Sequence, residues 1–244
     1  MEWSAVVGSL GYIVDALPNL LRGAVVTLQL TALSVLLGLI GGVLLGIARL
    51  SPIKPLSFAV RVYIDFFRGT PLLVQIFMIY FGIPAIAQQI GISFSFERIV
   101  AAVLALSLNS AAYLAEIVRA GIQSVEGGQR EAAESLGMDE MQSMRYIIFP
   151  QAIRRMIPPL GNEFITLLKD TSLVAVIGFE ELFRQGQLIV AQNYRSFEIY
   201  AAVAIVYLIL NTLSSQAFNL FEKAMDPVQK SKQRRTNTAA ASAE

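Results

Sequence analysis

Five polar residues interrupt an otherwise apolar stretch late in the chain: Asn162, Glu163, Thr166, Lys169 and Asp170 recur at helical spacing among "FI", "LL" and "SLVAVIGF". Separations of three, four and seven gather side chains on one side of a helix. Such a stripe can do one of two things. Glu163, Lys169 and Asp170 can simply neutralise each other, or they can line a path for a polar solute, a carboxylate meeting a cationic group and Lys169 an anionic one. An unpaired charge at the centre of a bilayer costs about 2.5–3.5 kcal/mol on insertion scales, and a self-contained neutral set could be replaced by apolar residues at lower cost. The solute path is therefore the favoured expectation, with the stripe facing the interior of the molecule.

Two earlier polar faces accompany it. Asn109, Tyr113 and Glu116 fall at i, i+4 and i+7. Asn109 can serve as interhelical glue or face the same solute, and Glu116 can pair with Arg119 three residues on. Arg61, Asp65 and Arg68 share a face as potential ion pairs, placed at the boundary of a span that begins at Pro71. Gly69, Thr70 and Pro71 predict a break in the helix, because proline lacks a backbone donor and disfavours helical geometry in the residue before it. Freed backbone groups are tolerated in a bilayer only inside protein or along a watered cavity. The break serves either packing or a cavity. A solute site built from Asn109, Glu163, Lys169, Asp170 and Thr70 is the expectation that follows.

The elements that must position these residues are membrane spans. Of 244 residues 55% are hydrophobic and only 15% charged, with mean hydropathy +0.59, against roughly 25% charged in a soluble domain. Crossing a hydrocarbon core takes about 20 residues. Val25 to Ala48, Pro71 to Ile90, Ile99 to Val118, Ile157 to Ile177 and Tyr200 to Phe221 qualify as five spans. The fold class expected is an all-α integral membrane protein. Residues 1–24 form an interfacial lead-in without the features of a cleaved secretory signal, 25–223 a transmembrane domain, and 224–244 a disordered cytoplasmic tail. Lys and Arg collect after spans one, three and five, whereas the other side holds acidic Glu97, Glu180, Glu181 and Glu198 among fewer basic residues. Positive charge stays cytoplasmic, so the N-terminus is expected outside and the C-terminus inside. Gly38, Gly42 and Gly46, continued by Thr27, Thr31 and Ser34, predict a close-packing stripe on span one.

Composition also excludes. There is no Cys and no His, which removes disulfides, thiol and imidazole chemistry and zinc sites of the usual kinds. A net charge of +1 gives no reason to expect a nucleic-acid partner. The basic tail can touch membrane lipid.

One polar segment lies between spans three and four. In "GQREAAESLGMDEMQSMRYIIFP", residues 128–150, Gly127 and Gly128 are expected to break the preceding helix. "QREAAESL" favours helix with Glu131 and Glu134 near its start, and Gly137 suits a stop. Asp139 and Gln142 have capping-box spacing for a second short helix, on which Met138, Met141, Met144 and Ile148 make an apolar stripe; Pro150 should break the ladder again. A Met-rich stripe suits an irregular groove, whether of lipid, of the chain's own spans or of a second protein.

This segment resembles the EAA loop of membrane subunits of ABC importers, whose pattern is EAA, three residues, Gly, nine residues, Ile, one residue, Leu, Pro. Glu131, Ala132, Ala133, Gly137, Ile147 and Pro150 match, and Phe149 stands at the Leu position. "FRGTPLLVQIFMIYFGIP", "YLAEIVRAGIQSVEGGQREAA" and "FPQAIRRMIPPLGNEFITLLKDTSLVAVIG" are similar to the polar amino-acid permeases of that superfamily. The resemblance implies the five-span core of a type I importer in a bacterial cytoplasmic (inner) membrane. It implies a homo- or heterodimer of permeases with cytoplasmic ABC ATPase subunits beneath and a soluble or lipid-anchored substrate-binding protein outside. Glu131, Ala132, Ala133, Gly137, Met138, Met141, Ile147 and Pro150 would then couple to the ATPase.

No Gly-Lys-Ser or Gly-Lys-Thr occurs, so no Walker A loop binds ATP in this chain; no cofactor of its own is expected, and ATP would belong to the partner. Alternating access driven by that partner is the mechanism expected. An ion-coupled secondary transporter or channel is the alternative, although five spans offer no inverted repeat. An enzyme is disfavoured for want of a nucleophile, metal set or cofactor motif.

Overall fold

In the computed structural model, residues 3–225 are described, with side chains from residue 11 onward. The tail expected at 224–244 lies, from residue 226 on, outside the described residues. The described residues are helical throughout, without strands: α1 (Trp3–Arg49), α2 (Lys54–Gly69), α3 (Leu72–Phe77), a π-helical turn (Met78–Gly82), α4 (Ile83–Gln89), α5 (Arg98–Gln123), α6 (Gly127–Ser135), α7 (Glu140–Ser143), a second π turn (Met144–Ile148), α8 (Phe149–Asp170), a 3₁₀ segment (Thr171–Ile177), α9 (Leu182–Asn193) and α10 (Ser196–Met225). Four helical stretches are long and apolar enough to cross a membrane: Gly11–Arg49, Leu72–Gln89, Arg98–Gln123 and Ser196–Met225. The stretch expected as span four is not among them. Arg154, Arg155, Glu163, Lys169 and Asp170 all fall within α8 and lower its hydropathy. The lead-in expected before residue 25 is no separate element, since α1 runs unbroken from Trp3.

The small-residue stripe of α1 packs on α5, and it fixes their direction. A Cβ on Gly38 would meet Ser110, one on Gly42 would lie 2.5 Å from the Leu114 Cβ, and one on Gly46 would lie 2.8 Å from the Val118 Cβ. Partner numbers rise together, so α1 and α5 are parallel. Thr27, Thr31 and Ser34 extend the seam, fully buried. Only glycine lets the two backbones come this near.

Two parallel helices require one return pass between them. α2, α3, the first π turn and α4 make it together. Val60 and Ile64 of α2 cluster with Ala115 in the second half of α5, while Ile76 and Ile79 pack with Ala101, Ala102 and Ala105 in its first half. The second pass thus includes Lys54–Gly69, and its break at Thr70–Pro71 stands beside the middle of α5. Arg61, Asp65 and Arg68 therefore do not flank the pass at its boundary; they lie along it. Asp65 makes no ion pair with either arginine. Helix faces are better filled by neighbours from α5, and Arg68 turns to Glu116 instead.

α8 returns antiparallel to α5, with Met156 over Gly121 and Ile148, Ala152 and Met156 clustered with Val118 and Ile122. α10 then runs parallel to α1, their contacts extending from Tyr12 and Arg195 through the cluster of Ala16, Leu20 and Ala24 with Ile199, Ala202 and Val203. α9 bridges these two helices.

Candidate functional site

The broken pass is held by an amide clamp. At the break Thr70 (φ −120°, ψ 147°) and Pro71 (φ −63°, ψ 135°) are extended, which frees the last carbonyls of α2. Gln75 Nε2 donates to Phe67 O (2.8 Å), Thr70 O (3.0 Å) and Thr70 Oγ1 (2.9 Å). Asn109 Nδ2 donates to Gln75 Oε1 (2.9 Å) and Phe67 O (3.3 Å), and Thr70 Oγ1 donates to Phe66 O (2.8 Å). Tyr63 OH adds a bond to Leu108 O (2.7 Å). Gln75 and Asn109 are buried. Asn109 and Thr70, expected to face solute, are instead engaged in satisfying backbone that would otherwise be orphaned. Gln75 was the missing member; a lone amide within "PLLVQIFMIYF" was the signal.

Beside the clamp lies a cleft of about 520 Å³, lined by Arg68, Tyr113, Glu116, Ser124, Arg155 and Pro159 among others. Glu116 Oε2 meets Arg119 Nη2 at 2.7 Å, with a second bond from Arg119 Nε to Oε1 at 3.2 Å; this is the local pair expected from spacing. The sequence did not suggest that Arg68 would join them, 3.9 Å from Glu116 and 5.3 Å from the centre of the Tyr113 ring. Arg119 also bonds Gln123, and Arg155 donates to Ser124 O. With two guanidinium groups, Arg68 and Arg155, and one carboxylate among its lining residues, this wall is net positive.

The α8 stripe has the phase expected and a different surround. Leu167 and Leu168 are buried against the bundle, Glu163 and Asp170 are half-buried, and Asn162, Thr166 and Lys169 are exposed. The stripe thus faces out of this chain's own bundle rather than into its interior. Glu163 lies next to the buried Ser110 of α5. Lys169 and Asp170 form no salt bridge with each other or with Glu163, since adjacent residues on a helix diverge. Mutual neutralisation does not describe this stripe.

The polar segment between α5 and α8 folds by its own capping signals. α5 ends at Gln123, ahead of the two glycines, which form the first turn of α6 with Glu126 at its N-cap. Glu131 is therefore in the second turn. Gly137 adopts φ 80°, with Met138 N donating to Ala133 O (3.1 Å) and Gly137 N to Glu134 O (2.9 Å), a left-handed stop. Asp139 and Gln142 complete the capping box through bonds of 3.0 and 2.8 Å. Pro150 does not end the helix. The π turn changes the register just ahead of it, Phe149 N bonding Met144 O, so helix continues from Glu140 to Asp170. The Met stripe divides: Met144 and Ile148 pack inward, Met138 is half-buried, and Met141 is 76% exposed. Ala133 is buried, Ile147 half-buried, and Glu131, Ala132, Gly137 and Pro150 are exposed. Leu136 (80% exposed) and Tyr146 (62%) are further apolar groups of this segment that the described residues leave without cover.

Residues 34–227 match the family described as "Binding-protein-dependent transport system inner membrane component". The chain belongs to that family. Among its relatives in this transport family are the "Probable amino-acid permease protein YxeN" of Bacillus subtilis, 43% identical over 88% of this chain and 94% of that protein, and the "Glutamine transport system permease protein GlnP" of Escherichia coli K12, 42% identical over 92% and 97%. A solved structure titled "Crystal structure of an amino acid ABC transporter with histidines" superposes with a TM-score of 0.80 at 44% identity, covering 86% of this chain and 96% of that one. The fold is that of the type I ABC importer permeases.

One further site in this family member escaped the sequence. Glu181, expected as an outer surface charge, is fully buried. It accepts from Phe183 N (2.9 Å), Arg184 N (2.7 Å), Tyr207 OH (2.8 Å) and Thr27 Oγ1 (3.5 Å), while Leu182 N donates to Thr27 Oγ1 (3.1 Å). Burial pushes its carboxyl above the ordinary range, and the two α9 amides with Tyr207 and Thr27 pull it back. It caps α9 and ties that helix to α1 and α10. The N-cap position ahead of "LFRQGQL" was the available signal.

Proposed function

We propose that this chain is the permease subunit of an ABC importer for a polar amino acid, one half of a dimer of permeases worked by separate ATPase subunits. The observation that carries the proposal is the α8 stripe: charged and polar residues exposed on the flank of an apolar bundle, in a chain whose near-full-length relatives are named as amino-acid permeases. Charges at this depth need a polar counterpart. A second permease across a solute path supplies one. Five passes of alternating direction follow if α8 crosses with its stripe turned to that path, and the N-terminus is then outside and the C-terminus cytoplasmic, in a bacterial inner membrane.

In this reading Glu163 or Asp170 meets the substrate's cationic group, while Lys169 and the positive wall at Arg68 face its carboxylate. Asn109 and Thr70 act through Gln75 by holding the break. ATP closes the partner ATPases, which grip Leu136, Met141 and the neighbouring EAA residues; α7, the π turn and α8 form one run of helix, with Pro158 and Pro159 inside it, along which that motion reaches the stripe. The binding protein delivers substrate at the outer end, near α9. No catalytic group of this chain takes part, and no cofactor is held here.

Reconstitution with its ATPase and binding proteins tests the whole. ATP hydrolysis should rise with one or a few loaded amino acids, and substrate should accumulate only with ATP. Accumulation in vesicles carrying the chain alone, driven by an ion gradient, would replace this reading with a secondary transporter.

A further inference from the structure

A second groove lies where α1 and α5 end and α2 begins, apart from the cleft beside the clamp. It encloses about 1030 Å³, walled by Ile47, Leu56, Ile122, Met144 and Phe149, and α6 and α7 form its far side. Its aliphatic wall is continuous with the exposed face of α1, where Leu33, Leu36, Leu37, Ile40 and Leu44 lead directly to Ile47. Leu33, Leu37, Ile40, Leu44 and Ile47 follow one another at spacings of four and three, an apolar face without cover among the described residues and suited to acyl chains. The groove also carries Glu126, Arg130 and Glu140, none of which makes an ion pair among the described residues.

We infer that this groove holds one zwitterionic aminophospholipid, its acyl chain against Ile47, Leu56 and Ile122, its phosphate on Arg130 and its ammonium toward Glu126 and Glu140. Three observations converge on that occupant. The apolar wall is continuous, through Leu44 and Ile47, with the exposed apolar face of α1. The rim offers one cation flanked by two carboxylates, the complement of a phosphate followed by an ammonium, whereas a purely anionic headgroup would find two like charges. The groove also spans the level at which α1 and α5 end, where headgroups lie. A lipid here braces α6 and α7 against α1 and α2, the segment that the proposed function assigns to the ATPase; that consequence rests on the proposed function, the lipid site itself only on the membrane placement.

The test is native mass spectrometry of the assembled permease–ATPase complex, extracted from vesicles of phosphatidylethanolamine and phosphatidylglycerol. One phosphatidylethanolamine per permease should survive extraction. Ile47→Trp and Leu56→Trp, both at partly exposed positions that tolerate a larger side chain, should lower its retention about tenfold, the change given by lost burial of roughly two acyl methylenes. Leu36→Trp, on the same α1 face away from the groove, should leave it unchanged. Glu126→Gln together with Glu140→Gln should abolish the preference for phosphatidylethanolamine over phosphatidylglycerol while retaining a lipid, and Arg130→Gln should lower retention of both. Equal retention in all three tryptophan variants would overturn the inference. So would efficient crosslinking of an Ile47→Cys variant to the ATPase subunit, which would make the groove part of that interface. Unchanged ATP-driven uptake in a variant that has lost the lipid would count against the coupling role and leave the lipid site standing.

Discussion

Replacing Gln75 by Leu tests whether the amide clamp holds the broken pass. The side chains are close in volume, so the change removes chemistry more than packing. Four bonds go: three from Nε2 to Phe67 O, Thr70 O and Thr70 Oγ1, and one into Oε1 from Asn109. Not all partners are stranded equally. Phe67 O retains Asn109 Nδ2, and Thr70 Oγ1 retains its own donation to Phe66 O. Thr70 O and one Asn109 N–H lose their partners. A buried polar group left unpaired costs about 1–3 kcal/mol, although side-chain bonds between membrane helices average only about 0.6 kcal/mol when measured by double-mutant cycles. The expected loss for two stranded groups is therefore about 2–4 kcal/mol, nearer the lower figure if water enters at the break. Asn109→Leu should cost less, since Gln75 can still bond Phe67 O and Thr70 O. In the double variant Gln75→Leu/Asn109→Leu one of the orphans is gone, so the combined loss should fall short of the sum. Unfolding of the assembled complex in detergent measures all three. A Gln75→Leu loss below about 0.5 kcal/mol, or strict additivity in the cycle, would refute the clamp.

Gly42→Leu should prevent normal packing of α1 on α5, because its Cβ would stand 2.5 Å from the Leu114 Cβ; gel filtration should show loss of folded complex, while Gly69→Ala, with nothing within 4 Å, should behave as the parent. Met141→Glu and Leu136→Asp should leave the permease folded yet weaken recruitment of the ATPase by about 30-fold or more, the effect of losing about 2 kcal/mol at an interface anchor, as pull-down titration would show. Glu163→Gln should abolish uptake with assembly and basal ATP hydrolysis retained; unchanged uptake would remove Glu163 from the solute path.

The elements legible in the sequence were those governed by local rules. The capping box at Asp139 and Gln142, the stop at Gly137 and the packing stripe from Thr27 to Gly46 each depend on residues within one helix or turn, and they stand as spacing predicted. The Glu116–Arg119 pair belongs with them, three residues apart. What spacing could not give was choice among partners. Arg68 had Asp65 three residues away on its own helix and took Glu116 on another, because the break beside the middle of α5 sets Arg68 facing Tyr113. Gln75 sits alone in an apolar run, and its role appears only when the break leaves carbonyls of α2 uncapped within its reach. Proline was misjudged for a related reason: Pro150 lacks a donor, but a π turn just before it shifts the bonding register so that helix continues through it.

The α8 stripe carries the broader lesson on where a charge in a membrane protein points. Amphipathic phase says that Glu163 and Asp170 share a side; it cannot say whether that side is the middle of one chain or the edge of a larger assembly. Exposed Lys169, Thr166 and Asn162 and buried Leu167 and Leu168 decide for the edge. A single chain with this surface would place several unpaired polar groups against acyl chains, at about 2.5–3.5 kcal/mol for each charge at the bilayer centre. Two such chains, stripe to stripe, remove that penalty and create a polar seam between them. In the proposed reading, the same energetics that leaves this surface incomplete in one subunit favours a solute path between two subunits over one within a single chain.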